Sequence, residues 1–82
     1  MEEIREEYKA KNEAMKEKYK DIIYSIADKN GVDLGVAFDM LKAIARGGEY
    51  AYEGELNIEE LKKEYAEIVE LSEKIAQGLG II

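Results

Sequence analysis

Tyr8, Asn12, Met15, Tyr19, Ile22 and Ile26 are spaced 4, 3, 4, 3 and 4 residues apart. Side chains at that spacing form one narrow stripe along an α-helix, the seam by which a helix packs on a neighbour. A second stripe runs through Ile58, Leu61, Tyr65, Ile68, Ser72, Ile75 and Leu79, alternating steps of 3 and 4. Neither helix can bury its own seam, so the fold has to bring two long helices together. The expected class is all-α. We expect a small helical bundle in one domain, residues 1–82, with two long heptad-patterned helices (about 2–29 and 58–77) and a short middle helix (about 34–46). A chain of this size buries only roughly 60–65% of its unfolded surface, so the core is thin and each seam residue matters.

The ends of these helices can also be placed. Glu2, Glu3, Glu6 and Glu7 crowd the first turns of the first helix, where the macrodipole favours anions, and lysines follow toward Lys29. Asn30-Gly31 is a stop, because Gly enters the left-handed geometry of a helix C-terminus at little steric cost. Asp33 is placed to cap the middle helix, whose expected apolar face is Leu34, Ala37, Phe38, Leu41, Ile44 and Ala45. Gly47-Gly48 ends it. Asn57 is expected to cap the last helix, with Glu60 completing a capping-box pattern. Val69 and Leu71 widen that helix's stripe, which implies more than one neighbour.

Two features are polar or irregular. Asn12 stands at a seam position, either near a frayed end with its amide in water or as a residue that selects one register. Residues 49–55, EYAYEGE, alternate like a strand but have no partner strand, so they are expected to form a loop. Tyr50 and Tyr52 would cover the bundle end or present an aromatic recognition surface. The uncharged tail GLGII would fold back or make a contact between copies. Tyr50, Tyr52, Ile81 and Ile82 are therefore the candidate interaction surface.

Composition narrows the chemistry. Cys, His, Pro and Trp are absent, so zinc and haem ligation by Cys or His, disulfides and Ser–His or Cys–His nucleophiles lack their residues. We expect no catalytic, cofactor-binding or metal-binding residues and no cofactor. No apolar run approaches the ~20 residues of a membrane span. The net charge of −7 repels phosphate backbones and suits a basic protein partner or self-association, with a dimer favoured. Neither DNA nor a membrane is an expected partner, and a cytoplasmic location is expected.

Ile26-Ala27, Gly31-Val32, Gly35, Phe38 and Leu41-Lys42 resemble the helix-turn-helix of bacterial transcriptional regulators, most of all the tetracycline-repressor type. There a small residue lets the helices approach, Gly makes the turn and Val plugs the angle. The resemblance implies that the middle helix would lie on DNA. It covers only residues 26–42 and departs from the pattern at Asp33 and Asp39, where a recognition helix needs donors and cations. Asp28, Asn30, Asp33 and Asp39 look like pieces of an EF-hand loop, but Gly31 falls in the fourth loop position and Val32 in a ligand position. Residues 54–71 are similar to the second-helix start of the small subunit of exonuclease VII, mainly in helix-cap and heptad signals.

Caps, glycine stops, dipole charges and seams all point to one fold. Such agreement is what a designed or generated stable bundle carries. The functional expectation is a non-enzymatic acidic helical domain, either such a bundle or a small protein-interaction module. The alternative is a helix-turn-helix regulator from a phage or mobile element.

Overall fold

The computed structural model describes residues 2–78. They form α1 (Glu2–Lys18), α2 (Lys20–Asn30), α3 (Leu34–Ala45) and α4 (Ile58–Gly78), with no strand among the described residues. α1 packs along α4, α2 packs along α3, and α3 closes the bundle against α4. The expected all-α bundle with a short middle helix is the observed one.

The first seam is carried by two helices, not by the single helix expected over 2–29. Tyr19 steps out of helical geometry, at φ −103° and ψ 20°. Hydrogen bonds bridge the step, from the Tyr19 N–H to the Met15 carbonyl at 3.0 Å and from the Ile23 N–H to the Tyr19 carbonyl at 2.8 Å. The seam changes partner at this point, from α4 on the α1 side to α3 on the α2 side. A straight helix presents one stripe to one neighbour, and the step lets one continuous seam serve two. Met15, Tyr19, Ile22 and Ile26 are all buried, with Ile23 widening the stripe. Asn12 is half-buried and donates from Nδ2 to the Tyr8 carbonyl at 2.9 Å, so its polar group is satisfied inside α1.

From α3, Ala37, Phe38, Leu41, Ile44 and Ala45 enter the core, but Leu34 is exposed. From α4, Leu61, Ile68 and Leu71 are buried, Tyr65, Val69 and Ile75 are half-buried, and Ile58 and Ser72 are exposed. The seam expected through Ser72 therefore runs through Leu71. Ile68, Leu71 and Ile75 keep the same 3-4 spacing, and burying a leucine removes far more apolar surface from water than burying a serine. Leu79, Ile81 and Ile82 lie outside the described residues.

The helix ends follow the expected chemistry. Gly31 adopts φ 65° and ψ 39°, and the N–H groups of Gly31 and Val32 both reach the Ala27 carbonyl. Gly47, at φ 98°, closes α3 in the same way: the Gly48 N–H reaches the Ala43 carbonyl at 2.8 Å and the Gly47 N–H the Ile44 carbonyl at 3.0 Å. Asp33 Oδ1 accepts from the Val36 N–H at 2.8 Å, and Asn57 Oδ1 accepts from the Glu60 N–H at 3.1 Å. Only half of the expected capping box forms, because the Glu60 carboxylate pairs with Lys18 instead of returning to Asn57.

Residues 49–56 form an extended loop lying against α2. The Asn30 amide nitrogen donates to the Ile26 carbonyl at 2.8 Å and to the Ala51 carbonyl at 2.9 Å. The Glu53 N–H donates to Ser25 Oγ, and the Glu53 carboxylate meets Lys29 Nζ at 2.8 Å. Tyr52 and Leu56 pack on the core, and Gly54, at φ 109°, comes so close to Ile22 that a Cβ there would stand 3.1 Å from its Cδ1.

Candidate interaction surface

Three large apolar side chains on α2 and α3 remain in water although the core beneath them is complete. Tyr24 is 51% exposed, Leu34 45% and Val36 42%. Tyr24 and Leu34 flank a groove of about 370 Å³ between α1–α2 and α3. Ile23 and Phe38 form its apolar floor, and Glu13, Lys16, Glu17 and Lys20 form its charged wall. The Gly31 turn sets the angle between α2 and α3 that opens this groove, with Val32 half-buried on the core inside the corner. Gly35 lines the groove beside Leu34 and Phe38 on the α3 side.

Cations surround the Phe38 ring. Lys42 Nζ lies 4.3 Å from its centroid and Lys16 Nζ 5.3 Å, distances at which the ring face attracts an ammonium. Arg46 lies over Tyr65, with its guanidinium carbon 5.8 Å from that ring's centroid. Lys42 of α3 and Arg46, the residue after its end, thus rest on aromatic faces of the bundle itself.

A second polar centre joins α1 to α4 at the Tyr19 step. Lys18 pairs with Glu60 and with Glu64, the latter at 3.0 Å, and the Tyr19 hydroxyl donates to Glu64 at 2.6 Å. Burial, with the Glu64 carboxylate beside it, pushes the Tyr19 phenol up to about 12. The hydrogen bond to Glu60, then that to Glu64, raises the Lys18 ammonium above its ordinary value. Every group in this cluster is paired with another, so the cluster joins α1 to α4. Among the described residues, no group of three or more Asp, Glu, His or Cys gathers in a way that could hold a metal ion.

The four residues singled out from sequence do not form one surface. Tyr52 is half-buried against the core, while Tyr50 is exposed on the loop and lies away from the groove. Ile81 and Ile82 lie outside the described residues. Tyr24 was the missed signal: an aromatic residue two positions past Ile22, off the seam of its own helix. Leu34, expected on the apolar face of the middle helix, stands at the first position of α3 and stays exposed.

No family model, curated protein or solved structure matches the chain. Among the described residues, no helix is long and apolar enough to cross a membrane.

Proposed function

We propose that the chain is a non-enzymatic helical interaction module that self-associates through the α2–α3 groove. The carrying observation is the exposure of Tyr24 and Leu34 on a groove floored by Ile23 and Phe38, with Val36 exposed on the same helix as Leu34. Clustered apolar side chains beside a finished core are the usual mark of a contact surface. The charged wall favours a second copy as the occupant. Glu13, Lys16, Glu17 and Lys20 read acid, base, acid, base along α1 and the start of α2. An antiparallel copy brings Glu13 opposite Lys20 and Lys16 opposite Glu17, a self-complementary pattern of the kind a two-fold interface needs. Met15 and Leu71 are already covered within the single chain, so they add nothing to association. A cytoplasmic setting and a designed stable bundle are both compatible with this reading.

The transcriptional-regulator reading has less support. The outward face of α3 offers Leu34, Val36 and Asp39, which supply no donor to a base edge and no cation to a phosphate. Sedimentation equilibrium across a wide concentration range tests the proposal. A dimer is expected, and Leu34→Glu is expected to reduce it to a 9.3 kDa monomer while Tyr50→Glu leaves it intact. A monomer at every concentration overturns the reading.

A further inference from the structure

Asn30 and Gly31 form the single Asn-Gly pair of the sequence; Asn12 precedes Glu13 and Asn57 precedes Ile58. An asparagine followed by glycine is prone to lose its amide. The deprotonated backbone nitrogen of the next residue attacks the side-chain carbonyl carbon, and glycine has no Cβ to shield that nitrogen. We propose that Asn30 is a deamidation site held shut by the fold, and that its conversion unfastens the 49–56 loop from α2.

The chemistry balances with water as the only co-reactant. A bond forms between the Gly31 nitrogen and Asn30 Cγ, the Cγ–Nδ2 bond breaks, and ammonia leaves. Water then opens the five-membered imide at either carbonyl, giving aspartate or isoaspartate. The native geometry opposes each step. The Gly31 N–H is tied to the Ala27 carbonyl, which hinders loss of its proton. The Asn30 amide is held by two acceptors, the carbonyls of Ile26 and Ala51. Asn30 also belongs to α2, and ring closure needs a ψ far from the helical value of about −42°. Reaction therefore waits for the last turn of α2 to open, so its rate reports how often that turn opens.

The product cannot restore what the amide did. A carboxylate has no proton to donate, so the carbonyl oxygens of Ile26 and Ala51 would face an anion. That anion also sits at the C-terminus of a helix, where the macrodipole disfavours it. Isoaspartate adds a carbon to the backbone just before the left-handed Gly31 and disturbs the turn that aims α3. Without the tie at Ala51 the loop rests on Glu53 alone, through Ser25 and Lys29, and those ties open more often.

The test has two arms. In the first, the full chain is incubated in mildly alkaline buffer with and without urea, and deamidation is located by peptide mass mapping. In urea, Asn30 should convert well ahead of Asn12 and Asn57. Without urea it should convert at least about tenfold more slowly, the factor set by an opening free energy of about 1.4 kcal/mol or more. Equal rates with and without urea, or earlier conversion of Asn57, overturn the gating. In the second arm, amide hydrogen exchange compares the wild type with Asn30→Asp and Asn30→Ala. The Glu53 amide, the hydrogen-bonded N–H of this segment, should lose protection in both variants, more in Asn30→Asp, while α4 keeps its protection. Unchanged protection of the Glu53 amide in Asn30→Asp overturns the unfastening. If Asn30→Asp does not fold, the same exchange measured on the deamidated fraction from the first arm decides the point.

Discussion

The Tyr19 hydroxyl donates to the Glu64 carboxylate at 2.6 Å, across the contact between the first and last helices, at the one residue where the α1–α2 rod leaves helical geometry. Lys18, the neighbouring residue, donates to the same carboxylate oxygen at 3.0 Å. One acid on α4 therefore holds both residues of the step. The ring of Tyr19 is buried, so the phenol is neutral and hydrogen-bonded where its charged form would be poorly solvated.

A pH dependence follows. The Tyr19 phenol titrates near 12 in the folded chain against an ordinary value of 10.0. Its contribution to stability is fully present below about pH 10 and is lost as pH rises toward about 12, because the unfolded chain releases the proton first. Lys18 is also raised when folded, so it weakens the fold in the same direction at the alkaline end. Tyr19→Phe should cost about 1.5–3 kcal/mol at neutral pH, the scale of a hydrogen bond to a charged group. It should also flatten the alkaline decline. Urea unfolding across the alkaline range, with tyrosinate absorbance followed in parallel, measures both. A wild type and a variant that fall in parallel would mean that the phenol titrates alike in both states.

The packing face of α4 is tested by neighbours. Leu71 is buried and Ser72 exposed. Leu71→Ala should cost about 2 kcal/mol or more and Ile68→Ala about 2–5 kcal/mol. Ser72→Ala should stay within about 0.5 kcal/mol. Denaturant midpoints in the reverse order would mean that α4 is rotated from the orientation described.

The turn between α2 and α3 depends on two residues for different reasons. Gly31 stands at φ 65° with nothing within 4 Å of where a Cβ would be, so Gly31→Ala meets backbone strain alone. A cost of about 1–2 kcal/mol is expected. Asp33→Ala removes the acceptor of the Val36 N–H and should cost about 1 kcal/mol. Asp39→Lys, on the exposed face, should change stability by less than about 0.5 kcal/mol. Thermal or urea unfolding of the three variants ranks them; an Asp39→Lys loss as large as that of Gly31→Ala would contradict this account.

Local chemistry made much of this fold legible. Gly31, Asp33, Gly47 and Asn57 act at the helix ends where their residue types belong, because caps depend on a few adjacent atoms. The seam from Met15 to Ile26 was legible for the same reason, since heptad spacing is a property of one helix. What sequence spacing missed depends on the neighbours. The Tyr19 step arises where one seam meets two partners, and no proline or glycine marks it. Choosing Leu71 over Ser72 required knowing which side of α4 faces the bundle. The groove was hidden because Tyr24 and Leu34 are ordinary apolar residues until the Gly31 turn sets them beside Phe38 without a neighbour to cover them.

The acid side of the pH range is read at Glu53. The Lys29 ammonium, 2.8 Å away, holds the Glu53 carboxyl below its ordinary value of 4.5, while the pair lifts Lys29 above its own. A carboxylate lowered on folding stabilises the fold above its unfolded value, and that contribution is lost as pH falls through the lowered folded value. Both groups are fully exposed, so salt screens the pair and its effect stays local to the loop. The Glu53 N–H donates to Ser25, so its own amide exchange reports whether the loop remains seated on α2. Glu53→Gln keeps the size of the side chain and removes the charge. At neutral pH and low salt, the amide at position 53 should be less protected in the Gln variant than in the wild type. The two should converge as the buffer is taken below the ordinary carboxylate range, and also when salt is raised at neutral pH. Equal protection of the two proteins at neutral pH and low salt would mean that Ser25 and Asn30 hold the loop without help from the Lys29–Glu53 pair.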